Sequence, residues 1–260
     1  MRSQNKKATS PARRSCGGCG IVSRLGLFLL LLLSAIGAAA EVPPILLFDA
    51  QVGENSFPLG WQPLTFNKID RHTQYRLIEE DGRQIIEAES EGSASGLIRP
   101  LDLDPKIYRT LSWCWKVKGI IKKGDVRTKA GDDYAARIYV TFKFDPDRAS
   151  FFEAAKFLTY KLFYGEYPPK AALNYVWANR MQVGEMVPNA YTERAMMIAV
   201  ESGEEKVGQW RCEKRNLFED YQAAFGEMPP YISGIAVMTD TDNTGESARA
   251  FYADLSLESP

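Results

Sequence analysis

The stretch Leu111-Ser112-Trp113-Cys114-Trp115-Lys116-Val117 decides the fold class of this chain. Its large apolar residues stand at every second position, so the leucine, both tryptophans and the valine share one face of an extended backbone. A period of two over seven residues is typical of a strand with one buried face. The stretch therefore predicts a β-strand that packs an aromatic face into a core.

The same alternation recurs along the rest of the chain. Residues 136–144 place Ile138, Val140 and Phe142 opposite a face that carries Arg137. Further strands are predicted at 75–80, 84–89, 97–103, 173–178, 195–200, 209–214, 232–239 and 251–257. Glycine, aspartate and asparagine turns separate them. About ten such segments without alternating helices predict a mainly β fold, an antiparallel two-sheet β-sandwich (jelly roll).

Two short helices interrupt the predicted strands. Residues 149–164 place Phe151, Ala155, Leu158 and Leu162 on one stripe. This aromatic-rich segment suits either a membrane surface or packing across one end of the sandwich, and its few flanking lysines favour packing. The second helix is predicted over 217–225, with Asn216 as its N-cap and Gly226 as its stop.

The first forty residues predict export. Six basic residues precede an apolar run from Leu25 to Leu33, which ends in Ala38-Ala39-Ala40. A run this short is typical of a cleaved signal peptide, whereas a membrane span is longer. We therefore expect a signal peptide at 1–40, a single β-sandwich domain at 41–260 and a periplasmic or secreted location. The alternative is an uncleaved leader, the one route by which the sequence predicts membrane contact.

Charge excludes one class of partner. The leader holds six of the 32 basic residues and none of the 33 acidic ones, so the mature chain has a formal net charge of about −7. Nucleic acid binding needs a basic stripe, and the remaining lysines are scattered among carboxylates. We expect no nucleic acid partner.

Two cysteines, Cys114 and Cys212, remain after leader cleavage. A bond between them would close a loop of nearly one hundred residues, a constraint worth about 4.7 kcal/mol in the chain-entropy model. The alternative is two buried thiols that never meet, because sequence does not set the separation of their Cα atoms.

Catalytic chemistry is narrowed by the histidine content. The chain has one histidine, His72, which excludes metal sites with two imidazoles and makes any hydrolase triad depend on that residue. Chemistry that uses carboxylates alone stays open.

Two acidic clusters stand at the ends of predicted strands. Asp132 and Asp133 precede the strand that begins near Arg137, and Asp240, Asp242 and Asn243 follow the strand 232–239. Such clusters bind hard cations, accept hydrogen bonds from sugar hydroxyls or act as an acid and base pair. The alternative is a set of turn aspartates that bond to nearby backbone amides. Calcium at Asp240 and Asp242 is one option, but the spacing departs from a calcium loop and no cofactor is required.

A family resemblance joins these segments over most of the mature chain. Six blocks carry it: Ser95-Gly96-Leu97, the stretch 111–117, Gly131-Asp132-Asp133-Tyr134-Ala135-Ala136-Arg137, Leu173-Asn174-Tyr175-Val176-Trp177-Ala178, Arg215-Asn216 with Asp220-Tyr221, and Thr239-Asp240-Thr241-Asp242-Asn243-Thr244-Gly245. In these blocks the sequence resembles the bacterial family known as domain of unknown function 3047. That resemblance implies a secreted or periplasmic β-sandwich, similar in outline to galactose-binding-like modules, and no established activity.

The polar residues of these blocks form the predicted ligand site. Arg137 offers a planar donor to an anionic or hydroxyl-rich ligand, and Trp177 offers a sugar platform unless it is buried in the core. The predicted site residues are Asp132, Asp133, Arg137, Asn174, Trp177, Asp240, Asp242 and Asn243.

Three functions are consistent with these residues. The first is a non-catalytic binding module for a glycan or other small polar ligand of the envelope. The second is a structural envelope protein whose acidic loops are fixed by hydrogen bonds or calcium. The third is a carboxylate-dependent glycoside hydrolase or polysaccharide lyase.

Overall fold

A computed structural model describes residues 42–48, 51–53, 56–147, 149–164 and 167–259. The predicted signal peptide at 1–40 lies outside these ranges, so cleavage and export stay predictions. Within the described ranges, no helix is long and apolar enough to cross a membrane.

The described residues form thirteen strands, two α-helices and one short 3-10 turn at Lys129–Gly131. The strands are β1 (Ile45–Leu46), β2 (Gln62–Leu64), β3 (Gln74–Glu80), β4 (Arg83–Glu91), β5 (Ala94–Leu103), β6 (Thr110–Val117), β7 (Arg137–Phe142), β8 (Ala171–Ala178), β9 (Met186–Asn189), β10 (Thr192–Ser202), β11 (Arg211–Asn216), β12 (Ile232–Asp240) and β13 (Ser247–Glu258). The helices are α1 (Phe151–Tyr164) and α2 (Leu217–Phe225).

The strands build two sheets. The seven-stranded sheet has the order β2-β5-β12-β7-β8-β10-β9, and the six-stranded sheet has the order β11-β6-β13-β4-β3, with β1 paired to β13. The predicted mainly β two-sheet sandwich is thereby confirmed. One pair departs from the antiparallel rule, because β10 runs parallel to β8. The chain crosses to β9 at the sheet edge and returns as β10 between β8 and β9, which imposes that direction.

The core lies between the sheets and is rich in aromatic rings. The deciding stretch forms β6, with Trp113 and Trp115 at most 1% exposed. The Trp113 ring centre lies 5.2 Å from that of Tyr175, and Trp115 lies 5.9 Å from Trp177. Because each buried aromatic residue removes about 150–250 Å² from water, these rings hold β6 against β8.

The two remaining cysteines form a disulfide. Cys212 stands directly opposite Cys114 in the antiparallel pair of β11 and β6, with the Cα atoms 4.0 Å apart. The bond closes a separation of 98 residues. It lies on the outer face of the six-stranded sheet, since Cys114 alternates with the core-facing tryptophans of β6.

The sequence predicted both ends of α2 correctly, but it predicted the wrong packing face for α1. α2 begins at the Asn216 cap, whose side chain accepts hydrogen bonds from two backbone amides, and ends at Gly226 in the left-handed conformation, as predicted. α1 contacts the sandwich through Phe157, which stacks on Phe144 at 3.8 Å. The stripe predicted to pack there faces solvent instead, with Phe151 82% and Leu158 48% exposed. The side chain of Leu162 is outside the described set.

Candidate functional site

A cleft of about 710 Å³ opens on the outer face of the seven-stranded sheet. Its floor comes from alternate residues of adjacent strands, because Arg137 and Tyr139 point away from the core that Ile138 and Val140 enter. Its walls come from the loop 65–69 and from Tyr191. The rest of the lining consists of Ala94, Asp132, Met238, Asp240, Asp242 and Asn243.

Strand register brings the two acidic clusters together. Arg137, the first residue of β7, is opposite Met238 of β12. Asp240 ends β12 two residues later, and Asp132 and Asp133 lie in the loop that leads into β7, five and four residues before Arg137. Antiparallel pairing therefore places the end of one strand beside the start of the other. Gly131 permits the close loop geometry here, since a Cβ at that position would lie 2.6 Å from the Asp125 amide nitrogen.

Arg137 is a buried cation at the centre of this arrangement. Its side chain is 3% exposed and donates from Nη2 to Asp240 Oδ2, while Nη1 lies 3.8 Å from Asp132 Oδ1. The guanidinium carbon is 5.0 Å from the ring centre of Tyr134 and 5.4 Å from that of Tyr139. Among the described residues, its Nε and Nη1 have no hydrogen-bond partner. A buried charge needs this pairing, and the carboxylates and rings supply it in part.

Asp133 ties two loops together. Its Oδ1 accepts the backbone N–H of Asn243 at 3.3 Å, and its Oδ2 accepts that of Thr244 at 2.6 Å. Asp240 also links the two loops, because its Oδ1 accepts the backbone N–H of Tyr134 at 3.4 Å. The predicted alternative of turn aspartates bonded to backbone amides is thus present beside the cleft.

Two other carboxyl groups have raised pKa values. Burial raises the pKa of Asp132, with Asp133 adding to the effect, although Arg137 and the side chain of Asn189 oppose it. Asn189 Nδ2 lies 3.0 and 2.9 Å from the two Asp132 oxygens. Burial and the neighbouring Asp133 also raise the pKa of Asp242. Raised carboxyl pKa values inside a cleft are frequent at functional sites.

A cation site at the acidic cluster fits these contacts poorly. One oxygen each from Asp133, Asp240 and Asp242 lies within 4.8 Å of the others. However, the guanidinium of Arg137 already bonds to Asp240, and both Asp133 oxygens already accept amide protons. A hard cation would have to displace these donors. Calcium at Asp240 and Asp242 therefore stays a prediction with little geometric support.

Three aromatic residues of the cleft are missing from the predicted site: Tyr139 of the floor and two exposed residues, Phe66 and Tyr191. Phe66, in the loop 65–69, is 38% exposed, and Tyr191, in the turn between β9 and β10, is 55% exposed. The Tyr191 hydroxyl lies 3.4 Å from Asn243 Oδ1 and 3.2 Å from the Lys129 carbonyl oxygen. Each of these two exposed residues is a lone aromatic residue in a polar turn segment, the signal by which it could have been found.

Two predicted site residues lie away from the cleft lining. Trp177 is 2% exposed and belongs to the core, where its ring packs on Trp115 and its Nε1 donates to the Gly203 carbonyl oxygen. We therefore leave it out of the proposed site. Asn174 is on the outer face, opposite Tyr139, but is 1% exposed and does not line the cleft. Its amide atoms have no hydrogen-bond partner among the described residues.

A comparison with protein families identifies the chain. The family described as "Protein of unknown function (DUF3047)" matches residues 59–256, which contain the whole cleft. The chain belongs to this family. The resemblance found in the sequence blocks is thereby confirmed. No curated protein matches the chain.

This DUF3047 protein has low structural similarity to the following solved structures. A mutant of the family 29 carbohydrate-binding module CBM29-2 is 11% identical, with a TM-score of 0.34 over 84% of this chain and 92% of that chain. The Trichoderma harzianum endoglucanase 3 of family GH12 is 10% identical, with a TM-score of 0.39 over 84% and 97%. At TM-scores below 0.5, no ligand or reaction is transferred from them.

Proposed function

We propose that this DUF3047 protein is a non-catalytic binding module of the cell envelope, and that its cleft binds a glycan or a related polar ligand. The observation that carries the proposal is the pair of exposed aromatic rings, Phe66 and Tyr191, around a polar floor. Ligand sites combine apolar surface with a few placed polar groups. Sugars present both kinds of surface, and an exposed ring with a polar edge suits them.

Different cleft residues supply the apolar contacts and the hydrogen-bonding groups. Phe66 and Tyr191 provide the apolar walls, and Asn67, Asp242 and Asn243 provide partly accessible donors and acceptors. Arg137 and Asp240 lie deeper and hold the floor in place. Because Arg137 Nη2 is committed to Asp240, its guanidinium does not present a free two-pronged face. A hydroxyl-rich ligand therefore suits the site better than one recognised mainly through a carboxylate.

The accessibility of the carboxylates argues against glycoside hydrolysis. Asp133 and Asp240 are at most 2% exposed and their oxygens carry hydrogen bonds, while Asp132 is 7% exposed. Within the described cluster, Asp242 is thus the one carboxylate with substantial exposure. Hydrolysis needs two carboxyl groups that both reach the bond, about 5–5.5 Å apart for retention or 6.5–9.5 Å for inversion. The enzyme alternative ranks below binding.

An envelope location is part of the proposal. The disulfide between Cys114 and Cys212 is a bond that persists in oxidising compartments and is rare in the cytosol. It supports the predicted export by the leader at 1–40. Sequencing the N-terminus of the protein from the periplasmic or secreted fraction tests both statements, since a mature chain should begin near Glu41.

The binding test compares two exposed tyrosines. We expect isothermal titration against a panel of purified envelope glycans to identify a ligand, and Tyr191→Ala to weaken its binding at least about tenfold, equivalent to about 1.4 kcal/mol. Tyr231→Ala is the matched control, because Tyr231 is 49% exposed and lines a different cavity. Equal weakening by both substitutions, or no binding by any glycan, contradicts the proposal.

A second candidate is the structural role, favoured by the two amide hydrogen bonds to Asp133. In that case Asp133→Ala lowers the melting temperature, and no glycan shifts the melting temperature of either protein. Thermal unfolding with EDTA and with calcium tests the metal version. A calcium shift in the wild type that disappears in Asp240→Ala would assign the acidic loops to a structural metal site.

A further inference from the structure

The helix α1 presents an apolar face that no described residue covers. Phe151 and Phe152 are 82% and 84% exposed, and Leu158, on the same side as Phe151, is 48% exposed. The opposite side holds the helix in place, because Phe157 is 2% exposed and stacks on Phe144. The two phenylalanines contact each other edge to face, with ring centres 5.8 Å apart. The helix is thus anchored by one ring and displays three large apolar side chains.

The charges along α1 are arranged around this face. At about 100° per residue, Lys156 lies about 40° beyond Phe152 and Lys161 lies about 60° beyond Leu158, so the two lysines border the face that Phe151, Phe152 and Leu158 form. Both lysines are exposed, whereas the acidic residue Glu153 is half-buried on the side of Phe157. Two flanking lysines favoured packing in the sequence, but the packing contact is made by Phe157 and the apolar face is left exposed. An exposed apolar face with cations on both borders is the pattern of a helix that lies in a membrane interface.

We propose that this face of α1, defined by Phe151, Phe152 and Leu158 with the flanking Lys156 and Lys161, docks on an anionic lipid surface. The phenylalanines and the leucine enter the headgroup region, and the lysines contact lipid phosphates. The helix lies on the bilayer and does not cross it. This surface is separate from the cleft, and it is also distinct from the membrane contact that an uncleaved leader, the alternative expectation, would make.

Charge complementarity selects lipid over a second copy of the chain. A symmetric dimer through this face brings the same patch of both copies together, and the exposed charges of that patch are both lysines. Like charges at an interface oppose association. An anionic bilayer instead supplies opposite charge to both lysines and an apolar layer to the rings. Because the mature chain is acidic overall, its attraction to such a surface has to be local to this helix.

The test is flotation of the full chain with lipid vesicles. We expect the wild type to float with vesicles of phosphatidylglycerol and phosphatidylethanolamine, and to bind phosphatidylcholine vesicles far less. Phe151→Ser with Phe152→Ser should reduce the bound fraction at least about tenfold, since the apolar anchor is lost. Both positions are in the first helical turn, where serine is tolerated and where the Ser150 hydroxyl accepts the Glu153 amide at 3.3 Å. The leader is the same in both proteins, so a difference reports α1.

A matched control uses two apolar residues elsewhere on the surface. Leu46 and Val183 are 63% and 62% exposed, and Leu46→Ser with Val183→Ser should leave vesicle binding unchanged. Lys156→Gln with Lys161→Gln should weaken binding to phosphatidylglycerol vesicles and reduce its salt dependence. Equal binding by the phenylalanine variant and the wild type, or no binding by either, would overturn the proposal. Sedimentation that shows a dimer dissolved by the phenylalanine substitutions would overturn it too and assign the face to a second copy.

Discussion

The outer faces of the two sheets differ although both sheets enclose the same core. On the six-stranded sheet, long side chains cover the strands: Lys116 Nζ lies 4.7 Å from the ring centres of both Trp210 and Phe251, and Arg249 bonds to Glu87. The disulfide fixes its β6–β11 edge. On the seven-stranded sheet, a cleft exposes Phe66 and Tyr191 around a buried arginine.

The two faces differ in how deeply their arginine side chains are buried. The Arg249 side chain is 47% exposed, so water shares in the solvation of its ion pair with Glu87. The Arg137 side chain is 3% exposed, and its charge depends on Asp240, Asp132 and two tyrosine rings. We call the outer face of the six-stranded sheet the closed face and that of the seven-stranded sheet the open face. We expect the exposed ion pairs of the closed face to tolerate substitution, and the buried pair of Arg137 and Asp240 on the open face to tolerate little.

The largest expected effect concerns the closed face. Replacing Cys114 and Cys212 by alanine should lower the free energy of unfolding by up to about 4.7 kcal/mol, because the unfolded chain loses a constraint across its long loop. Denaturant unfolding measures this change. Glycan affinity of the protein that remains folded should equal that of the wild type, and a parallel loss of affinity would show that the two faces are coupled.

The second-largest effect on the free energy of unfolding should come from breaking the buried ion pair of the open face. Arg137→Met leaves Asp240 buried without its cation and should cost about 3–5 kcal/mol. Asp240→Leu added to Arg137→Met should recover part of that loss, because the uncompensated charge is then removed. Arg249→Met on the closed face is the control and should change the melting temperature little. Similar effects of the two arginine substitutions would remove the proposed distinction.

A smaller effect on the melting temperature should come from substituting one aspartate on each face and varying the pH. Burial raises the pKa of Asp132 above that of an unfolded aspartate, so the folded protein holds this proton more tightly. The group therefore favours folding at acid pH and opposes it once the pH rises through the folded pKa. Asp132→Asn should raise the melting temperature at neutral pH, and this gain should vanish below about pH 3.9. Asp254→Asn is the control at the closed face, because the Asp254 side chain is 55% exposed and pairs with Arg83. An equal gain in melting temperature from both substitutions would remove the proposed distinction.

The smallest effect on stability should come from the rim. Tyr191→Ala removes an exposed ring and should change the free energy of unfolding by no more than about 0.5 kcal/mol. The same substitution is expected to weaken glycan binding, so affinity and stability separate at this residue. Chemical denaturation beside the titration checks this, and a large loss of stability would identify Tyr191 as part of the scaffold.

Features that depend on local chemistry were predictable from the sequence. The alternation in 111–117 predicted β6 and its buried face, because side chains of a strand point to opposite sides at every step. Asn216 and Gly226 predicted both ends of α2, because caps act within one turn. β1, β2 and β9 were missed, since two to four residues are too few to show a period.

Contacts between residues far apart in the chain depend on strand pairing, which no local pattern specifies. Arg137 and Asp240 are 103 positions apart, and strand register joins them. The cysteines meet for the same reason, as a directly opposed pair. Trp177 and Arg137 were both predicted to contact a ligand, but Trp177 faces the core and Arg137 faces the cleft. The stripe of α1 faces solvent because Phe157, on the other side, is the residue that fits against Phe144. Composition and period specify which residues share a face, and packing decides what that face meets.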